Sequence, residues 1–247
     1  MSSCFTPLGT RPRYVRIGVM AFQTNRCMLH WQIIIAATVL SAFAGDQVAA
    51  QVSTRVATQV AAPEGIGTVS RIQGEASGTR GGATRALDLN VSVILNETVS
   101  TGAAARLEVT FKDDTRLTLG ENAKLTLDRY VFNPDARRGA IRFRVVGAFR
   151  FLSGQISKLA RSDVSVTTPV ATIGIRGTEF WGGPIDDQVL GVFLIAGAVR
   201  VSNAAGAQTL DRPGQGTNIA RQGAAPGPVT FWPQDKVGRA IATVTFQ

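Results

Sequence analysis

Beyond residue 30 the chain has no cysteine and no histidine. Its two cysteines, Cys4 and Cys27, and its one histidine, His30, fall in the first 30 of 247 residues. A Ser–His–Asp triad, a Cys–His dyad, a Cys/His zinc site and haem ligation by His or Cys are therefore closed to the rest of the sequence. Hydroxyl, carboxylate, lysine and arginine chemistry is what remains. The expectation is a non-enzymatic protein with no catalytic residue, no metal ligand and no cofactor. Aromatic residues make up 7%, too sparse for a platform that stacks single-stranded bases. At 45% hydrophobic and 17% charged residues, the composition is also not that of a disordered chain.

Acidic residues are missing from the N-terminus, where Arg11, Arg13, Arg16 and Arg26 precede the first carboxylate, Asp46. An apolar run from Trp31 to Ala44 follows, and it ends in two small-residue sites, Ala42-Phe43-Ala44 and Val48-Ala49-Ala50. A positive segment, a short apolar stretch and an A-x-A-like site describe a secretory signal peptide over 1–50, with an uncleaved anchor as the alternative. The run is short for a spanning helix, which needs about 20 apolar residues. The protein is thus expected to be exported to the periplasm or cell surface, where nucleic acid is a poor partner. Its membrane contact is expected only through the N-terminal segment, if that stays attached. The whole chain carries a formal charge of +9; removal of residues 1–50 takes four arginines and Asp46 with it and leaves +6.

Residues 51–64 read as a flexible leader. From Gly65 to about residue 220 the chain alternates apolar and polar residues in short runs broken by Gly, Asn and Asp, the period of half-buried strands. Leu87, Leu89, Val91 and Val93 alternate in this way, after a loop expected over 78–86. Leu107–Phe111, Leu117–Leu119 and Leu125–Leu127 form three tightly connected strands, the first two joined by the turn Lys112-Asp113-Asp114-Thr115. Ile141, Phe143 and Val145 face one way and Arg142 and Arg144 the other, and Phe149 and Phe151 flank Arg150. Val192–Leu194 and Val199–Val201 read as two runs split by Ala196-Gly197. The expected fold is all-β, a roll or sandwich of short antiparallel strands. Residues 221–247 read as a Pro/Gly linker and a tail that suits a short helix after Pro233.

Two groups of residues stand out. Arg137, Arg138, Arg142, Arg144 and Arg150 form a basic cluster. It reads either as a solvated face that blunts sheet edges or as a docking patch for an anionic envelope surface such as a phosphorylated glycolipid or wall polymer. The stretch 167–180 is the other. Pro169 lacks a backbone donor and biases Thr168 to extended geometry, which marks an edge or corner. Gly174 and Gly177 suggest close backbone approach or positive φ on either side of Arg176. Arg176 reads as a structural arginine in a buried pair with a carboxylate, Glu179 being the nearest candidate. Phe180 and Trp181 read as packing residues, and Trp232 as a pin that holds the tail to the sheet.

Thr168-Pro169, Gly174, Arg176-Gly177-Thr178-Glu179-Phe180 resembles the TP-x-A-x-x-G-x-RGTEF core of the FecR-domain family, and the flanking order of strands and turns over 65–220 is similar. The resemblance implies an exported β-rich domain and, for the family's name-giver, a relay that passes a signal from an outer-membrane transporter to a sigma factor. Those regulators carry a longer cytoplasmic segment before their membrane span than residues 1–30 provide, so this chain is closer to the stand-alone exported members. The leading expectation is a binding domain whose partner is an envelope protein or an anionic envelope polymer. The alternative is the signal relay. A more remote alternative is a carboxylate-based hydrolase using Asp113/Asp114, Asp186/Asp187 or Glu179.

Overall fold

The computed structural model describes residues 64–247. The expected signal peptide and all but the last residue of the expected leader lie outside the described residues. The first half of the fold contains β1 (Gly65–Gln73), β2 (Ala76–Arg80), β3 (Ala83–Ala86), β4 (Ser92–Ile94), β5 (Thr98–Thr101), β6 (Arg106–Phe111), β7 (Arg116–Leu119) and β8 (Lys124–Asn133). The second contains β9 (Arg138–Val146), β10 (Phe149–Leu152), a 3-10 turn (Ile156–Lys158), β11 (Arg161–Thr167), β12 (Thr172–Ile185), β13 (Gln188–Asn203), β14 (Gly206–Leu210), β15 (Gln215–Ile219), β16 (Thr230–Phe231) and helix α1 (Gln234–Ala242). The protein is all-β with one short C-terminal helix.

The strands form one continuous hydrogen-bonded sheet in the order β3-β2-β5-β8-β9-β11-β12-β10-β7-β6-β1-β4, with β13 running along β12 and carrying β14 and β15. Alternation decides which side chains meet inside. Leu125 and Leu127 on β8, Ile141, Phe143 and Val145 on β9, and Phe149 and Phe151 on β10 all point inward and are nearly or fully buried. Phe111 stacks on Phe143 at 4.9 Å, and Phe180 on β12 meets Phe149 edge-on at 5.7 Å. Full burial of each such side chain contributes about 1.5–3 kcal/mol.

A second, smaller cluster lies on the opposite side of β12 and β13. Trp181, Phe193, Trp232, Ala240 and Val244 pack together there. Pro233 sits in extended geometry immediately before α1, where a missing N–H costs nothing. The Trp181 indole N–H donates to the Thr243 hydroxyl at 3.0 Å, and Trp232 stacks on Phe193 at 5.4 Å. Trp232 thus pins the tail: a Cβ on Gly216 would fall 2.3 Å from its indole nitrogen.

Several expectations are corrected. The strands are not all antiparallel, because β9 and β11 pair in parallel, in register from Arg161/Arg138 to Thr167/Arg144. The chain reaches β11 through β10 and the 3-10 turn, the crossover that a parallel pair requires. Residues 78–86 are largely not a loop but the hairpin β2–β3, turned by Gly81 and Gly82 at φ +57° and +84°. Its side chains hardly enter the core, so it leaves no apolar alternation to read. Conversely, Leu87–Val93 is mostly loop. Leu87 is buried but Leu89 is 54% exposed, and Asn90 takes φ +66°, which breaks the alternation. The runs expected at 192–194 and 199–201 belong to one 16-residue strand, β13.

Candidate functional site

The motif segment begins with a tight connection between β11 and β12. The Thr168 hydroxyl receives the Ala171 N–H at 3.1 Å and Thr168 N–H donates to the Ala171 carbonyl at 2.8 Å, so Pro169 and Val170 form the turn itself. β12 then changes partner. Its first part pairs with β11, Ser165 opposite Gly174, and its second part with β10, Leu152 opposite Glu179. Between them lies a bulge where two glycines face each other. Gly177 has φ +58° and Gly197 φ +82°, and a Cβ on Gly197 would sit 2.2 Å from the Gly177 carbonyl oxygen. Positive φ combined with a backbone approach this close, as at Gly197, is open only to glycine.

Thr178 closes the bulge. It is 2% exposed. Its hydroxyl lies 2.6 Å from the Ala198 carbonyl and 3.3 Å from the Ala198 N–H, so it spans β12 and β13. Its own N–H donates to the Ser153 hydroxyl at 2.9 Å, which ties the bulge to the end of β10. The bulge also shifts the inward parity, from Ile173 and Ile175 before it to Phe180 after it. Gly174 shows neither positive φ nor crowding; a Cβ there would meet only the Arg200 carbonyl, at 3.9 Å.

Arg176 departs from expectation. It is exposed, and its guanidinium makes no hydrogen bond or ion pair with any described residue. Glu179 is taken by Arg150, whose Nε donates to it at 2.8 Å. The bulge separates Arg176 from Glu179, whereas Arg150 stands on β10 next to Leu152, the residue opposite Glu179. The structural parts of the motif are therefore Thr168, Gly177, Thr178, Glu179 and Phe180, and Arg176 is left to solvent.

The expected basic cluster divides. Arg150 lies beyond the bulge with Glu179. Arg137 sits in the β8–β9 turn with φ +50°. Arg138, Arg142 and Arg144 share the outward face of β9. Arg142 pairs with Asp163 at 2.6 Å and Arg144 with Asp128 at 2.5 Å. These exposed pairs contribute little stability, about 0–1 kcal/mol each. Other strands enlarge the face. In register with β9, β8 contributes Lys124 and Arg129, and β11 contributes Arg161. Arg176 on β12 and Arg200 on β13 extend it.

This face therefore carries eight basic side chains and two aspartates, a charge of +6. Residues 64–247 together hold 21 Lys and Arg against 16 Asp and Glu, or +5, so the remaining described residues sum to −1. The whole surplus is gathered on one side of the sheet. Arg129, Arg138 and Arg161 have no acidic partner among the described residues, and they surround a shallow hollow of about 320 Å³ lined also by Ala140, Ala160 and the Arg142-paired Asp163.

Of the carboxylates considered for hydrolysis, Asp113, Asp114, Asp186 and Glu179 are engaged, and Asp187 is exposed in the β12–β13 turn. Asp113 is fully buried and accepts from the Thr115 and Tyr130 hydroxyls at 2.7 and 3.1 Å and from Ile156 N–H at 3.2 Å. Burial, followed by the nearby Asp113 charge, pushes the Tyr130 phenol well above its usual pKa. Asp114 accepts from Gln155 at 2.6 Å. Asp186, in the β12–β13 turn, pairs with Lys236 at 3.1 Å and Arg239 at 2.8 Å. Hydrogen bonds first from Arg239 and then from Lys236 hold its carboxyl below the usual range. Among the described residues no group of three or more Asp, Glu, His or Cys is placed to hold a metal. Sequence reasoning missed Glu97, which is 1% exposed and held by Arg85 at 2.8 and 3.0 Å. Gly78 leaves it space, since a Cβ there would lie 2.1 Å from its carboxylate.

An all-β domain pinned by a glycine bulge, with a charge-bearing outer face, is the class that the geometry defines. Residues 97–200 match the family described as FecR protein. The match spans β5 to most of β13 and is shorter than the 65–220 suggested by the sequence resemblance. Two crystal structures of a protein described as an anti-sigma factor from Parabacteroides distasonis ATCC 8503 are similar to it. Each has 16% identity and a TM-score of 0.46 over 58% of this chain. The chain spans less than two thirds of them, 64% and 63%. No curated protein sequence matches.

Proposed function

We propose that this protein is an exported, non-enzymatic FecR-type binding domain that docks to a partner in the cell envelope through the arginine-bearing outer face of β8, β9, β11, β12 and β13. The observation that carries this reading is the charge distribution. A face of +6 on a domain of +5 gathers the whole surplus on one side, and five of its arginines have no acidic partner among the described residues. Such a surface concentrates anionic partners and speeds their encounter. Export follows from the basic, then apolar, then small-residue order of residues 1–50.

The experiment is capture of envelope components by the natural protein, compared with a variant carrying Arg176→Gln and Arg200→Gln. The wild type should retain a partner at low salt and release it at high salt, because exposed charge contacts are screened. Equal retention by the variant at every salt concentration would overturn the reading. A second reading, the signal relay, is supported by the family match over 97–200. It requires the N-terminal segment to remain in the membrane. Mass spectrometry of the mature protein separates the two: an N-terminus at Gly45 or Gln51 excludes the relay, and an intact one supports it.

A further inference from the structure

We propose that the partner of the arginine face is a lipid membrane surface bearing phosphate groups, an inference that rests on reading this face as the docking surface. Three observations single out a membrane over a soluble polyanion. Firstly, the cations are spread over five neighbouring strands rather than lining a groove, with Arg129 beside Arg142 and Arg138 beside Arg161. A spread of this kind matches a lateral array of anions better than one thread of polymer.

Secondly, seven of the eight cations are arginines, whose planar fork suits the paired oxygens of a phosphate. The small floor at Ala140 lets one such group descend among Arg129, Arg138 and Arg161, while Asp163 in the same hollow is paired with Arg142.

Thirdly, the same face ends in an aliphatic edge. Val146 lies on β9 two residues beyond Arg144, points outward opposite Lys124, and is 50% exposed. Val189 is 45% exposed. The two share a hollow of about 270 Å³ with Pro169, Val170 and Pro184. A soluble polyanion has nothing to cover these side chains. A bilayer receives them at the headgroup boundary while its phosphates meet the arginines, the division of labour used by interfacial proteins. No aromatic ring on which a sugar chain would stack is exposed among the arginines: the outward rings of β12 and β13, Trp181 and Phe193, are buried under α1 and Trp232.

The test is co-sedimentation of the natural protein with vesicles of phosphatidylcholine alone and of phosphatidylcholine mixed with phosphatidylglycerol. The N-terminal segment carries Arg11, Arg13, Arg16 and Arg26 and would itself favour anionic lipid, so its contribution is read as the binding that remains in the triple variant below. Binding should require the anionic lipid and fall as salt rises. Arg129→Gln, Arg138→Gln and Arg161→Gln together should weaken it on the order of a hundred-fold, since each cation near such a surface is worth roughly a five-fold factor. Their side chains are exposed and have no acidic partner, so melting temperature should not change. Val146→Ser should weaken vesicle binding and leave retention on dextran sulfate as it was.

Vesicle binding by the triple variant equal to wild type would overturn the proposal. So would retention on dextran sulfate with no vesicle binding at all, or vesicle binding indifferent to Val146→Ser. If vesicles fail while Arg176→Gln/Arg200→Gln still abolishes envelope capture, the docking face stands and the lipid assignment falls. If capture is unchanged too, both fall.

Discussion

Alanine at Gly177 and at Gly197 forms a matched test of the bulge that turns β12 from one partner to the other. Both glycines take positive φ, +58° and +82°, so alanine at either pays the left-handed penalty of about 1–2 kcal/mol. Only Gly197 also meets a wall. Nothing lies within 4 Å of a Cβ on Gly177, whereas a Cβ on Gly197 would be 2.2 Å from the Gly177 carbonyl oxygen and 2.8 Å from the Thr178 Cα. Both obstacles are backbone, fixed further by the Thr178 hydroxyl on Ala198 and by Ser153. Relief therefore means separating β12 from β13, and overpacking of this kind adds about 1–3 kcal/mol. The sums are about 1.5 kcal/mol for Gly177→Ala and about 3.5 kcal/mol for Gly197→Ala. At about 3 °C per kcal/mol for a domain of this size, the melting temperatures should fall by about 5 °C and about 10 °C. Thermal melts followed by near-UV circular dichroism would read the difference. Equal losses, or a larger loss at Gly177, would refute the close approach as the reason for glycine at 197.

Three other perturbations probe separate features. Arg176→Ala should leave stability within about 0.5 kcal/mol, as for other exposed positions; a large drop in a denaturant titration would restore the buried-pair reading that the structure removes. Arg85→Ala leaves Glu97, whose side chain is 1% exposed, with the Ile94 N–H at 3.1 Å as its remaining donor, and should cost about 2 kcal/mol. Because Arg85 itself is 41% exposed, a loss well beyond that would mean its role extends past this carboxylate. Asp186 has a folded-state pKa below its unfolded one. Its contribution to docking α1 is therefore complete above the ordinary aspartate range and fades as pH falls through the lowered value. Tryptophan fluorescence, reporting Trp181 and Trp232, should show this acid transition, and Asp186→Asn should loosen the helix at neutral pH and reduce the transition. An acid profile identical in the variant would assign the transition to other carboxylates, Asp235 first, whose carboxyl Arg239 also holds low.

The sequence was legible where one face of a strand is buried. Ile141, Phe143 and Val145 against Arg142 and Arg144 announce β9 because water and core lie on opposite sides of it. The same rule gives nothing for Ala83–Ala86, all exposed, and misleads at Leu87–Val93, where one asparagine at positive φ turns alternation into a loop. In the motif, the need for glycine at 177 and a corner at Pro169 could be inferred, since both follow from the backbone alone. The partner of Glu179 could not, because Arg150 reaches it through a strand pairing that depends on where the bulge falls. The arginine face was half visible. Arg138, Arg142 and Arg144 are near in sequence, but Arg129, Arg161, Arg176 and Arg200 join them only through the order β8-β9-β11-β12-β13, which includes a parallel pair that no local pattern reveals.

The cluster beneath α1 bears on how the chain is made. Trp181 and Phe193 sit on long strands whose inner sides close the main core, yet the residues that cover their outer sides, Trp232, Ala240 and Val244, come some forty or more residues later in the chain. A growing chain therefore shows a tryptophan–phenylalanine patch until that segment arrives, and exposed apolar surface of this kind invites aggregation or chaperone binding. The helix works as a cover: a chain clipped before residue 232 would leave that patch open to solvent.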